Sequence, residues 1–338
     1  MDNVTSPTPL ASTTGLPRRA LLAAAAVVAG LMPRAGQTAT IIKGTVIGKE
    51  DWLYLVWDDP RRADFNQINL VTDLVEKAVA TMRAAKIDVV LAFVPAKSRI
   101  YRAFLPDDFK FTAETDKRYA VALERLRKTG ALVPDLGTAF AEMLKAAPND
   151  KIFFKNDTHW TAFGAESAAK LITQEIKATI KLPPSPRPGA NIGPAVTKTH
   201  VKSDLSLVLP PKEHPDETFQ VHDVVAAKGK ASLLDDDHPD VVVVGSSYMQ
   251  PKYNFAEMLS NQLNRPVGLV WKVHLVGPYK TLLSYVTSDS FKKQRPRVVV
   301  WNFLEIDMEL MPDSQAALRE NAMPTEAFLS ELTAAVKI

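Results

Sequence analysis

Cysteine is absent from the 338 residues. Disulfides, thiolate metal sites and a cysteine nucleophile are therefore excluded, although the redox compartment stays open, because exported bacterial proteins also do without cysteine. A strong charge of either sign is missing as well. Lys and Arg total 41 against 38 Asp and Glu. Three of those basic residues (Arg18, Arg19, Arg34) and one acid (Asp2) precede residue 40, so the remainder is balanced at 38 to 37. That balance gives no electrostatic footprint for nucleic acid. Histidine is scarce, with six in all, which narrows the choice of a general base. No apolar run reaches the about 20 residues that a comfortable membrane span needs, and no internal repeat is found. What the chain does have is 46% apolar residues with mixed charge, the composition of a large buried core rather than of disorder. The length suits one large α/β unit or two modest ones.

The amino terminus reads as an export segment. Residues 1–17 are polar and rich in Ser, Thr and Pro; Arg18-Arg19 then precedes "ALLAAAAVVAGLM" and the small-residue stretch "PRAGQTAT". This is the layout of a secretory signal, the arginine pair suggesting twin-arginine-like export with the Sec route as the alternative. Residues 1–39 are thus expected to be a cleaved signal or a retained signal anchor, the remainder, 40–338, being the folded unit. The expected location is the periplasm, with inner-membrane anchoring as the alternative.

Beyond it, "GTVIGKEDWLYLVW" (44–57) predicts a short hairpin with Gly48 near its turn. Helical spacing of Leu70, Leu74, Ala78 and Met82 predicts a helix over 66–85. "IDVVLAFVP" (87–95) is a β-branched apolar run of the kind buried on both faces of a parallel sheet. Helices near 115–128 and 138–146, a short strand at "ALVPDL" from 131, a strand "KIFF" (151–154) and a helix over 161–179 continue the rhythm. Residues 182–235 break it, beginning with the proline-punctuated "LPPSPRPG" and offering only "SDLSLVLP" as a strand. They read as an insertion, either a lid or a docking surface. Alternation resumes with strands at 240–245, 267–275 and 297–303 and helices near 253–264, 279–292 and from 325. The fold class is α/β, a doubly wound parallel sheet with helices on both faces and an irregular insertion.

Sites in such folds lie beyond the carboxyl ends of the strands, where few polar residues stand. They are Lys97, Ser98 and Arg99; Asp157 and His159; Gly245, Ser246, Ser247 and Tyr248; and Asn302. A strand, tight turn and helix at "VVVVGSSYMQPKYNFAEML" presents a serine that needs a base within hydrogen-bond reach. His159 stands at a neighbouring strand end, and Asp157 two residues earlier could fix its tautomer. Each piece also has a plainer reading. Gly-Ser-Ser often only caps a helix, Asp157 can close an Asx turn, and Trp160 suits packing. Metal binding is disfavoured, since Asp157-x-His159 offers two ligands without an obvious third. No cofactor is implied.

Four landmarks, "GKEDWLYL" (48–55), "VPAKSRIYRAFLP" (94–106), "IFFKNDTHWTAFGA" (152–165) and "VVGSSYMQPKYNF" (243–255), with a weaker fifth in "HVKSDLSLVL" (200–209), resemble the SGNH-like O-acetyltransferases of bacterial exopolysaccharide systems, the family of the alginate acetylation proteins AlgJ and AlgX. The resemblance implies an SGNH-hydrolase-like catalytic domain over 40–338 with a triad of Ser247, His159 and Asp157, the family register choosing Ser247 over Ser246. It implies that Tyr253, and with it Tyr248, contact a polysaccharide such as alginate or cellulose. It implies acetyl transfer from a membrane-bound O-acyltransferase, in company with other exopolysaccharide export and modification proteins. A carbohydrate acetylesterase with the same triad, and a non-catalytic periplasmic assembly or binding protein, are the alternatives. For the oxyanion, the backbone N–H of Ser247 or Tyr248 comes first and the Asn302 side chain second. The sequence ends just past the α/β unit, so an AlgJ-like layout, with a partner presenting the polymer, is expected.

Overall fold

Strands built of unbroken Val, Leu and aromatic residues have no polar face to give to water, so both their faces must be covered. The computed structural model describes residues 38–210, 214–225 and 239–337. Almost all of the expected export segment, 1–39, lies outside them, as do 211–213 and 226–238 of the insertion. Nine strands are present among the described residues: β1 Thr40–Ile42, β2 Thr45–Ile47, β3 Leu53–Leu55, β4 Asp88–Val94, β5 Asn191–His200, β6 Glu217–Val225, β7 Val241–Gly245, β8 Val267–Trp271 and β9 Val298–Leu304.

The central sheet has the order β4-β9-β7-β8 and is parallel throughout. Side chains one residue apart point to opposite faces, and two separate cores result. The row Val90, Val300, Val243 faces the helices Leu136–Ala146, Ala162–Thr179 and Phe255–Leu263. The next row, Leu91, Trp301, Val244, faces Phe65–Ala84, Arg118–Lys128, Gly277–Val286 and Thr325–Val336. This is the expected doubly wound arrangement. From β7 the chain runs outward to β8, then returns to place β9 on the other side of β7, so the order reverses at the β7/β9 crevice.

Three expectations are corrected. The strand at 131 shrinks to one parallel bridge between Leu132 and Val90, because Gly130 and Pro134 leave only three residues between breakers. "KIFF" is not a sheet strand either. Ile152, Phe153 and Phe154 are fully buried, and their backbone closes a local loop, with Phe154 N–H donating to His159 O and Thr161 N–H to Ile152 O. "SDLSLVLP" holds a 3-10 turn, Ser206–Val208, rather than a strand. Leu205 and Leu209, four residues apart, are buried against Leu53 of β3. The insertion's regular part is instead the antiparallel pair β5 and β6, irregular between Ile192 and Ala195 where Pro194 can offer no N–H. It is tied to the helix Ala162–Thr179 through buried Glu166, which accepts from His222 N at 3.1 Å and from His222 Nδ1.

At the carboxyl end of β9, Glu305 is 1% exposed. It accepts from Arg99 Nη2 at 2.7 Å, Arg118 Nε at 3.0 Å and Ala96 N at 2.9 Å. Burial alone would raise its carboxyl, but the two guanidiniums outweigh that and keep it below its ordinary range. Removing one member of such a set strands the others as buried, uncompensated charge. Glu305→Ala should therefore destabilise the protein by about 3–5 kcal/mol, read as a lower urea midpoint at unchanged slope.

Candidate active site

The short run Asp157-Thr158-His159-Trp160 is a loop fixed from four directions. Behind it Lys97 Nζ donates to the carbonyls of Lys155 and Asp157, both at 2.9 Å. Leu53 N–H of β3 also donates to Lys155 O. At its end Trp160 Nε1–H donates to Tyr248 O at 2.7 Å, and the Tyr248 hydroxyl donates to Thr158 O. From the insertion, both oxygens of Asp204 accept from Thr158, one from its N–H at 2.8 Å and the other from its hydroxyl. The helix that follows is capped by Thr161, whose hydroxyl accepts from Gly164 N, so Asp157 is left for other work.

Asp157 is 3% exposed. Its Oδ1 accepts from His159 N at 2.9 Å and faces His159 Nδ1 at 2.6 Å. Its Oδ2 faces His200 Nε2 at 2.9 Å and accepts from Asp204 N at 2.9 Å. Burial pushes the carboxyl up, but the hydrogen bonds from His159 and His200 prevail and hold it far below the usual carboxylate range. An ionised Asp157 can only accept, so His159 carries its proton on Nδ1 and turns a bare Nε2 outward. That Nε2 lies 2.8 Å from Ser247 Oγ. The imidazole side chain is 13% exposed, reachable from outside where the carboxylate is not.

The serine turn is set by close approach of β7 to β9. A Cβ on Gly245 would lie 2.6 Å from Asn302 Cβ and 2.8 Å from Met249 Cγ, so only glycine fits there. Ser246, the other serine, donates its hydroxyl to Asn302 Oδ1 at 2.8 Å, and its N–H reaches the same oxygen at 3.2 Å. Alternation then turns Ser247 toward His159. The Asn302 amide is no oxyanion donor, since its Nδ2 is spent on Ala92 O and Phe303 O. Tyr248 N–H points at Ser246 Oγ at 3.4 Å, whereas Ser247 N–H has no acceptor among the described residues.

The structure thus brings Ser247, His159 and Asp157 together and separates the two tyrosines: half-buried Tyr248 lines a small pocket with Thr158, Lys97 and Glu305, whereas Tyr253 does not reach the surface. Tyr248 sits beside His159, ring centroids 5.0 Å apart, with its hydroxyl and carbonyl both engaged by the loop. Tyr253 is fully buried, its ring 5.8 Å from His159 and 6.2 Å from Phe154. It packs beneath the imidazole instead of facing solvent. Residue patterns left His200 and Asp204 inside a weak landmark, with no role given to either, and Lys97 in a list of strand ends. The contacts of His200 and Asp204 with Asp157 span more than forty residues of chain, which no local period reports. Asp157, His159 and Asp204 are also close enough to share a cation. Their facing atoms are already taken by the hydrogen bonds above, and a metal would have to displace these.

A comparison with known families decides the relationship. The family described as "SGNH hydrolase-like domain, acetyltransferase AlgX" matches residues 45–305. The chain belongs to this family. Among its relatives is the probable alginate O-acetylase AlgJ of Pseudomonas syringae pv. tomato, 32% identical over 279 residues, 78% of this chain and 68% of that protein. The solved O-acetyltransferase domain of Pseudomonas putida AlgJ superposes with a TM-score of 0.68 at 25% identity, covering 86% of this chain and 99% of that one. Pseudomonas aeruginosa AlgX shares the fold, with a TM-score of 0.59 at 21% identity over 85% of this chain and 67% of that one. The chain therefore has the SGNH-like α/β fold of an acetyltransferase family.

Lys97 allows a test of the loop's support. Burial pushes its ammonium down to about 7 despite nearby Glu217, Asp157 and Asp204, and a neutral amine still has the two N–H groups its carbonyl partners require. A lysine depressed from 10.5 to about 7 binds fewer protons folded than unfolded between those values, so its share of stability rises with pH across that window and is lost as pH falls through it. The wild type should gain stability relative to Lys97→Met from pH 7 to 9, measured by urea unfolding.

Proposed function

We propose that the protein transfers acetyl groups to hydroxyls of an exopolysaccharide through an acetyl-enzyme on Ser247. The observation that carries this is the unbroken chain Ser247 Oγ, His159 Nε2, His159 Nδ1, Asp157 Oδ1, with contacts of 2.8 and 2.6 Å. His159 takes the Ser247 proton as Oγ attacks the acetyl carbonyl of the donor. Asp157 stabilises the imidazolium that forms. The N–H of Ser247, which has no acceptor among the described residues, supports stabilisation of the oxyanion. Collapse breaks the bond to the donor's leaving oxygen, which recovers the proton from His159, and leaves acetyl-Ser247. A polysaccharide hydroxyl then gives its proton to His159 and attacks that ester. Its tetrahedral adduct expels Ser247 Oγ, which regains a proton from His159.

Relatives named for alginate make alginate the first acceptor to test, with cellulose and other exopolysaccharides after it. The Arg18-Arg19 apolar segment supports an exported enzyme working in the periplasm, free or anchored to the inner membrane. A membrane-bound O-acyltransferase fits as donor there, with exopolysaccharide export and modification proteins as partners. Triad chemistry alone would serve an esterase equally well; the family's acetyltransferase description favours transfer.

Acetyl release from an activated acetyl ester should fall by at least about 10³-fold in Ser247→Ala and in His159→Ala. Ser246→Ala, which loosens the turn without removing the nucleophile, should stay within about tenfold of wild type. With an alginate oligosaccharide present, mass spectrometry should find the acetyl group on the sugar. Acetate alone would mean an esterase, and wild-type release in all three variants would end the triad reading.

A further inference from the structure

His200 is the last residue of β5 and is 5% exposed. Its ring stacks on Phe154, centroids 4.0 Å apart and planes 14° from parallel. Phe154 leads directly into the Asp157 loop, so the imidazole and the loop rest on the same support. The ring's Nε2 lies 2.9 Å from Asp157 Oδ2. Because that carboxylate is acceptor-only, Nε2 is the protonated nitrogen.

We propose that His200 is a positioning residue of the site, its Nε2–H holding the second oxygen of Asp157 so that the first stays on His159. The inference rests on the triad reading given above. A carboxylate accepting two bonds on each oxygen cannot rotate without losing some of them. Take His200 away and Oδ2 keeps only Asp204 N–H. The carboxylate then gains both rotational freedom and basicity, since each donor drew charge from it. A more basic Asp157 stabilises the His159 imidazolium further, so the neutral base forms only at higher pH. The insertion is in this view a working wall of the site rather than a lid.

The ionisable groups facing this pair from the packed elements are Lys97, His159, Asp204, Glu217, Tyr248 and Tyr253. All of them are retained in the test, which follows acetyl release from an activated acetyl ester between pH 5 and 9. In His200→Phe, kcat should fall about 10- to 100-fold with KM within about twofold. The acid limb of kcat/KM should move up by about half a pH unit or more. His200→Gln brings an N–H to the same oxygen and should restore most of both. Should His200→Phe fail to fold by circular dichroism, His200→Asn takes its place, its shorter amide falling short of Oδ2. A folded His200→Phe with wild-type kcat and acid limb overturns the proposal. So does an equal loss in both variants with an unmoved limb, which marks structural support alone. Wild-type release in Ser247→Ala would instead sink the triad reading itself.

Discussion

A carboxylate removed from water stays ionised only if donors fill its oxygens, and Asp157 imposes that condition on everything around it. Its four hydrogen bonds come from its own loop and from the insertion, two segments more than forty residues apart in sequence. Meeting the condition fixes the rotamer of His159, draws the end of β5 and the 204 turn against the loop, and sets Lys97 behind the loop's carbonyls. Ser247 needs only to arrive at a base that is already oriented. In the proposed triad the direction of dependence therefore runs from the acid to the base to the nucleophile, although the proposed chemistry runs the other way.

A second buried carboxylate, Glu305, answers the same constraint differently. It is clamped by two guanidiniums, which leave it no lone pair for chemistry, and it joins the end of β9 to the segments carrying Arg99 and Arg118. Among the described residues no guanidinium or ammonium bonds the Asp157 carboxylate oxygens; backbone N–H donors and imidazoles hold them instead. The contrast separates a charge that braces from one that can respond when a neighbouring ring gains a proton. Lys97 lies between the two regimes, buried close to the neutral point.

Much of the fold was legible because burial on both faces leaves a plain trace. The runs at 87–94, 240–245 and 297–303 all proved to be strands of one parallel sheet, and the helical spacing through Leu74, Ala78 and Met82 was realised within one residue at each end. What escaped was structure made by distant partners. Phe153 and Phe154 read as strand but are buried among aromatic rings, and Leu205 and Leu209 read as strand but straddle a 3-10 turn. The site was half visible in the same way. Asp157, His159 and the two serines stand at strand or loop ends where chemistry concentrates. Tyr253 drew attention by its position in a motif, yet its hydroxyl is buried and has no hydrogen-bond partner among the described residues. His200 is an ordinary strand residue until Phe154 and Asp157 are folded against it.

The antiparallel ribbon of β5 and β6 has a further consequence for how such a protein can change. Along most of its length one face is open, as at Ala195, Thr197 and Thr199. His200, Glu217 and His222 are each pinned by hydrogen bonds to the loop or to the helix behind it, and Ile192, Phe219 and Val221 turn inward. A ribbon anchored through one face can have its open face rewritten residue by residue without disturbing the acid it supports. Variation in what the protein meets at its surface is thereby uncoupled from the chemistry underneath.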